Sequence, residues 1–220
     1  MKYYPVFLNL KGKLCVVVGG GQVAERKVLG LLGAGAVVKV ISPQLTKKLT
    51  KLKEQGKIIG HLRHWRSPDI KKACLVIAAT NDYSVNEKIY QQAEKQKIPV
   101  NVVDDPKHSS FIVPSLVKKG DIILAISTSG KSPALARFLR QKLEKVIGPE
   151  YIYLGKFLGK LRKWLFSQKI DNRERQRIFS LLAGERSLDL IRQKKRREWE
   201  RHLRSIIGND FSLKKLGMGK

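Results

Sequence analysis

The chain has 220 residues, 42% hydrophobic and 29% charged, a balance that excludes intrinsic disorder and suits one large or two small globular domains. Forty-five Lys and Arg against 18 Asp and Glu give a formal net charge of +27, which calls for an anionic partner: nucleic acid, an acidic membrane surface or a polyanionic small molecule. No apolar run of about 18 residues is present, and no N-terminal apolar core of roughly 7–15 residues, so neither a membrane span nor a secretory leader is expected.

Leu14–Val18 is an unbroken, β-branched-rich run, the signature of a strand buried on both faces. Val23–Leu32 spaces its apolar residues as a helix, with Gly33 and Gly35 as stop signals. Val37–Ile41 is a second strand. Leu45–Gln55 reads as a basic amphipathic helix, followed by a strand near Lys57–Leu62. Cys74–Ala78 is another buried strand, Asp82–Gln96 a helix and Val100–Val103 a strand. Strands alternating with helices predict a Rossmann-like, doubly wound parallel sheet over residues 1–112.

The pattern changes after Pro106. Ile112–Val117 and Asp121–Ser127 are strand-like runs joined by the turn signal Lys118-Lys-Gly120, which predicts an antiparallel pair. A helix from about Ala134 to Ile147 follows, with Ser132 as its N-cap, and Gly148-Pro149 ends it. Residues 113–147 thus form a small mixed segment. Residues 148–220 read as a basic helical region, with one apolar stripe at Leu154, Leu158, Leu161 and Leu165 and another at Leu188, Ile191, Trp199, Leu203 and Ile206. Cys15 and Cys74, each in an apolar run, read as core side chains in a reducing cytoplasm rather than as metal ligands.

Gly19-Gly-Gly-Gln-Val-Ala24 follows the first strand and opens a helix, matching G-x-G-x-x-G/A at Gly19, Gly21 and Ala24. Gly19 permits the tight turn, Gly21 lets the backbone approach a pyrophosphate, and Ala24 lets the helix pack close to the strand. The helix start at Gln22 and Val23 presents free amides to the anion. The acidic residue that commonly holds the ribose at the end of the second strand is absent: Ser42, Pro43 and Gln44 stand there. No arginine stands there either, which favours NAD over NADP.

Five stretches in register carry a resemblance: Gly19–Lys27, Ala78–Asp82, Asn101–Pro106, Ser110–Ser115 and Thr128–Arg137. Together they resemble the precorrin-2 dehydrogenase and sirohydrochlorin ferrochelatase family, which also forms the N-terminal half of sirohaem synthase. The resemblance runs from about Tyr4 to Ile147. It implies NAD-dependent oxidation of precorrin-2 to sirohydrochlorin and, in some members, insertion of Fe2+ to give sirohaem. It also implies a homodimer built by the segment after the Rossmann domain. A tetrapyrrole polycarboxylate substrate accounts for the basic charge. Thr80 and Asn81 lie in the second of these stretches and are expected at the cofactor.

Dehydrogenation releases a proton and iron insertion releases two, so the site needs a base. Asp104, just past the Val100–Val103 strand, matches the family's aspartate; it is the candidate general base, and a metal ligand if chelation occurs. Asp105 is expected to cap its loop. His108, four residues beyond Asp104, matches no motif of the family and is read as a solvated loop residue, with acceptance of pyrrole protons near neutral pH as its alternative role; His61 and His64 are read as packing or surface residues, and His202 belongs to the basic tail helix. Thr128, Ser129, Gly130, Lys131, Ser132 and Arg137 are candidates for holding substrate carboxylates. Gly130-Lys-Ser132 lacks the earlier glycine of a P-loop, so ATP binding is rejected. The alternative function is an NAD-sensing regulator that binds nucleic acid through the basic stretch Arg192–Arg204, against which stands the lack of a helix-turn-helix or RNA motif. A membrane-surface or partner-docking role for the same stretch is weakened by its narrow apolar stripe.

Overall fold

A computed structural model describes residues 3–218. The chain divides into two compact units, Met1–Val113 and Pro114–Lys220. The segment 113–147 and the region 148–220, read separately from sequence, therefore fall almost wholly within one unit.

The first unit is built on β1 (Leu14–Val18), β2 (Val37–Ile41), β3 (Ile59–His61), β4 (Leu75–Ala78) and β5 (Val100–Val102), joined by α1 (Gln22–Gly33), α2 (Lys47–Glu54) and α3 (Tyr83–Lys95). The sheet order is β3-β2-β1-β4-β5 and each pairing is parallel. This is the expected doubly wound Rossmann-like sheet, with its order reversing beside β1. Alternate residues of the strands feed two cores. Cys15, Val17, Val38, Val40 and Ile77 pack with Ala24 and Val28 of α1 and Leu49 of α2. Val16, Val18, Val76, Ala78 and Val100 pack with Ile89 and Ala93 of α3. Each fully buried valine or isoleucine contributes about 1.5–3 kcal/mol of apolar burial, which explains why continuous β-branched runs locate the strands so well. Cys15 is buried and Cys74 lies just before β4, not within it; neither is in a disulfide. Burial, then the nearby Cys74, pushes the Cys15 thiol up to about 11.

The second unit opens with β6 (Ser115–Lys119) and β7 (Ile122–Ile126), which pair antiparallel with Lys119 opposite Ile122. The first strand thus starts three residues later than expected, because Pro114 has no N–H to give a ladder, and the reversal sits at Gly120-Asp121, with Gly120 at φ +60°. α4 (Pro133–Val146) packs on this pair, and Ser132 caps it by accepting from Leu135 N at 3.2 Å.

α5 (Pro149–Ser167), α6 (Asn172–Leu182), α7 (Glu185–Arg192) and α8 (Arg196–Ile207) complete the unit around a core of their own. Two expectations are corrected there. Phe157 takes the fully buried place in α5, with Leu158 only packed against the core, since a 3.6-residue period carries the stripe through 154, 157, 161 and 165. The second stripe belongs to two helices, not one: Lys194, in the left-handed region at φ +55°, breaks the chain between α7 and α8. Among the described residues no helix is long and apolar enough to cross a membrane.

Candidate functional site

Register brings the site together. Val18 pairs with both Ile41 and Ala78, and Ala78 with Val102. The loops after β1, β2, β4 and β5 therefore leave the sheet at one level, the carboxyl edge where open α/β sheets bind ligands.

The glycine loop carries a sharper division of labour than its motif conveys. Gly19 has φ +123°, and a Cβ there would stand 2.2 Å from the Ala79 carbonyl oxygen. A Cβ on Gly20 would stand 1.9 Å from the Gln44 oxygen and 2.7 Å from Ser42 Oγ. Both positions are glycine because neighbouring loops press on them. Gly20 is a free position in the motif, and only the packing of Gln44 reveals why it too lacks a side chain. Gly21 differs: nothing lies within 4 Å of an added Cβ. Its face is open toward the side where the motif places a pyrophosphate. Gly21 caps α1 without a side chain, and the first helical bond runs from Glu25 N to Gly21 O at 2.9 Å. The amides of Gln22, Val23 and Ala24 precede that bond and have no acceptor among the described residues. Open backbone, free amides and the positive end of a helix dipole fit a dinucleotide pyrophosphate.

The loop after β2 is pinned to this turn. Thr46 N donates to the Gly20 oxygen at 3.0 Å and Thr46 Oγ1 donates to Glu25 Oε2 at 2.6 Å. Ser42 N donates to the His61 oxygen at 3.1 Å. Ser42 is half-buried; Pro43 and Gln44 are exposed. Ser42, Pro43 and Gln44 thus flank the glycine loop on the side expected for the adenosine. Glu25 and Thr46 were not singled out from sequence; the first sits in the quoted glycine motif, but nothing in its spacing signals a partner 21 residues away.

After β4, Thr80 is held by Asn86 of α3. Thr80 Oγ1 donates to Asn86 Oδ1 at 2.7 Å, and Asn86 Nδ2 donates to the Thr80 oxygen at 3.0 Å. Asn86 is itself buried, a polar core residue with its partners supplied. Asn81 is exposed in the same loop. Asp82 caps α3 through Val85 N at 3.2 Å.

Past β5, Asp104 is exposed and adopts φ +60°, a conformation that Asp tolerates better than most residues. Its charge is felt by Lys27 of α1: burial and Arg26 lower the Lys27 ammonium from its usual value, and Asp104 acts in the opposite sense. Asp105 caps the turn as expected, its Oδ1 accepting from Lys107 N at 3.1 Å and His108 N at 3.2 Å. Its Oδ2 stands 2.6 Å from His108 Nδ1, which takes His108 out of the solvated-surface class. Hydrogen bonding to His108, outweighing desolvation, holds the Asp105 carboxyl below its ordinary range.

In the second unit, the loop Thr128–Ser132 is tied to itself. Thr128 Oγ1 donates to the Ser132 oxygen and accepts from Ser132 N, both at 3.0 Å, and Lys131 N donates to the Thr128 oxygen at 3.0 Å. The Thr128 hydroxyl is thus engaged inside the loop. Ser129 and Gly130 both have positive φ, 54° and 84°. Ser129, Gly130, Lys131 and Arg137 are exposed. Among the described residues no cluster of three His, Cys, Asp or Glu is placed to hold a metal ion.

An NAD(P)-binding family matches residues 6–115, and a sirohaem biosynthesis central-domain family matches residues 120–145. The sirohaem synthase of Nitrosococcus oceani is 45% identical over 179 residues, covering 81% of this chain and 38% of that protein. The sirohaem synthase of Neisseria meningitidis serogroup C is 37% identical over 211 residues, covering 96% of this chain and 44% of that protein. The chain therefore spans about two fifths of the relatives it matches. Among solved structures, SirC, a precorrin-2 dehydrogenase, has the same fold, with a TM-score of 0.76 at 24% identity over 92% of this chain and all of that one. With the glycine loop and these matches in agreement, the chain belongs to the NAD(P)-binding family whose model spans residues 6–115, and over most of its length it is similar to the sirohaem synthases.

Proposed function

We propose that the chain catalyses NAD-dependent oxidation of precorrin-2 to sirohydrochlorin. The observation that carries this is the juxtaposition, along one sheet edge, of a glycine loop fitted to a dinucleotide and a carboxylate, Asp104, on the loop after β5. Sirohaem synthase relatives support it over the regulator that binds nucleic acid.

Bound at the loop Gly19–Ala24, NAD supplies the acceptor for a hydride from the macrocycle. Gln22, Val23 and Ala24 give their amides to its pyrophosphate, and Ser42–Gln44 border its adenosine. With no arginine in Ser42–Gln44 to read a 2′-phosphate, the loop suits NAD rather than NADP. Thr80 and Asn81 border its other half. Asp104 takes the proton that leaves the substrate, the ordinary work of a positioned carboxylate. In the second unit Ser129 and Ser132 offer hydroxyls, Gly130 an amide, and Lys131 and Arg137 cations to carboxylates, and the basic chain attracts a polyanion. Where Fe2+ is inserted, Asp104 is the residue to ligate the incoming iron and accept pyrrole protons.

The protein is a homodimer in this reading. Leu116, Ile123, Leu135, Phe138 and Val146, on the β6-β7 pair and α4, are exposed, an apolar concentration typical of an interface. Two unpaired cysteines suit a reducing cytoplasm.

The test is spectroscopic: incubate pure protein with precorrin-2, with and without NAD, then add ferrous iron. NAD-dependent appearance of the sirohydrochlorin spectrum is expected; an unchanged precorrin-2 spectrum with NAD present overturns the assignment.

A further inference from the structure

In the second unit α5 and α6 enclose a cleft of about 450 Å³. Arg162 and Phe166 stand one helical turn apart on α5, and Arg175 reaches the same ring from α6. Phe166 is 58% exposed, an aromatic ring outside the unit's core. The Arg175 guanidinium lies 4.4 Å from its centroid and the Arg162 guanidinium 5.7 Å. The two guanidinium carbons are therefore within about 10 Å of each other, close enough for their charges to interact at about 0.1 M salt. No carboxylate lines the cleft, and among the described residues neither guanidinium has an ion-pair partner. Arg175 donates to the Asn172 side-chain oxygen instead.

Two cations gathered on one ring without a counter-charge call for an anion, and the guanidinium fork suits phosphate. The rest of the cleft is uncharged. Nothing lies within 4 Å of a Cβ added at Gly159, so the space beside Arg162 is open. Leu158 and Phe179, half-buried against the unit's core, give the cleft an apolar wall. The Asn172 amide nitrogen and the Gln176 amide have no hydrogen-bond partner among the described residues. Side-chain amides match the donors and acceptors on nucleobase edges, and aromatic rings and guanidinium planes stack on nucleobase faces. A tetrapyrrole polycarboxylate presents acceptors alone at its rim and leaves the Gln176 carbonyl without a donor. The volume lies within the range of small-molecule sites, roughly 300–1,000 Å³.

We propose that the α5–α6 cleft binds a nucleoside phosphate. Arg162 and Arg175 clamp the phosphate. The base lies over Gly159, against Leu158 and Phe179, with the stacked Phe166 and Arg175 at its border. Asn172 Nδ2 donates to the base edge, and Gln176 both donates and accepts there. None of these residues belongs to the groups assigned to NAD or to precorrin-2, and the site stands whether or not the dehydrogenase reading holds. Gly159 is the position that keeps the cleft open. A helix interior disfavours glycine, and no packing contact requires one at 159, so the room it leaves is what the residue provides.

The experiment titrates the full chain with AMP and with GMP by calorimetry, NAD being present in excess to occupy the glycine loop. Gly159→Leu is expected to abolish nucleotide binding and leave the fold intact, since its side chain enters open space and a helix former replaces glycine. Circular dichroism and thermal melts check that fold. Arg162→Gln and Arg175→Gln are each expected to weaken binding roughly 10- to 100-fold, the loss for one charge-assisted contact. Inorganic phosphate should bind roughly tenfold more weakly than the nucleotides, because base stacking is missing. Uroporphyrin, a polycarboxylated tetrapyrrole, should not displace them. Nucleotide affinity unchanged in all three variants places the binding elsewhere and overturns the proposal. Phosphate binding as tightly as either nucleotide, or displacement by uroporphyrin, overturns the nucleoside assignment. A folded wild type that binds neither nucleotide overturns it too.

Discussion

Thr46 Oγ1 donates to Glu25 Oε2 at 2.6 Å, tying the loop after β2 to the first turn of α1. Glu25 also lies 3.9 Å from Lys48 Nζ, and Thr46 caps α2 by accepting from Leu49 N at 3.2 Å. One hydroxyl therefore joins the start of α2 to the first turn of α1 and holds the loop after β2 against the glycine loop. Cutting the link with Glu25→Ala or Thr46→Val removes one charge-assisted hydrogen bond, of about 1.5–3 kcal/mol. NAD affinity is expected to fall about tenfold, equivalent to about 1.4 kcal/mol, with the circular dichroism spectrum unchanged. Calorimetry with NAD checks it; wild-type affinity in both variants removes the link from the account of binding.

Adjacent glycines should respond in opposite ways. Gly20→Ala drives a Cβ to 1.9 Å from a carbonyl oxygen, so soluble expression or thermal stability should drop sharply. Gly21→Ala has open space and should fold normally. Gly21→Asp should also fold, yet lose NAD binding, because its carboxylate occupies the pyrophosphate path and repels it. Thermal melts with and without NAD separate the three variants.

Asp104→Asn keeps shape and removes basicity. NAD binding is expected to persist while oxidation of precorrin-2 falls about 10²–10⁴-fold, the usual range for losing a general base. Any iron insertion should fall with it. A folded Asp104→Asn variant of full activity would sink the mechanism and leave the family intact.

Stability at low pH should depend on Asp69, which is buried and accepts from Arg63 NH2 at 2.6 Å, Arg63 NH1 at 2.7 Å and Arg66 N at 2.8 Å. The Arg63 hydrogen bond, against the cost of desolvation, holds its carboxyl below the ordinary value. A carboxyl depressed in the folded state stabilises above its unfolded pKa of about 3.9, and that stabilisation is lost as pH falls through the lower folded value. Asp69→Asn should destabilise the protein by about 1–3 kcal/mol at neutral pH, and the gap from wild type should close in acid. Urea melts at pH 7 and pH 3 measure both.

Assembly is tested at α4. Phe138 is 50% exposed and Leu135 47%. Light scattering should show the wild-type chain as a dimer and Phe138→Glu as a 25.0 kDa monomer. A wild type that stays monomeric across micromolar concentrations overturns the dimer.

Strands β1 and β2 were legible to the residue, and β4 and β5 to within one, because a strand covered on both faces must be apolar throughout and such runs are short and bounded. The glycine motif and the loop bearing Asp104 were legible for a related reason: tight turns and helix starts restrict residue types locally. The remainder depended on contacts across the chain. Gly20 is required by a carbonyl 24 residues on, Thr46 meets Glu25 through the parallel pairing of β1 with β2, and Thr80 is held by a buried Asn86. His108 carried no motif, and its pairing with Asp105 arises from a turn whose closure through Ser109 and Val102 no periodicity encodes. In the helical region, the stripe of leucines was visible, yet burial chose Phe157 over Leu158, because facing helices α7 and α8 decide which side of α5 is inside. Local stereochemistry is written residue by residue; side-chain partnership is settled only when distant segments compete for the same space.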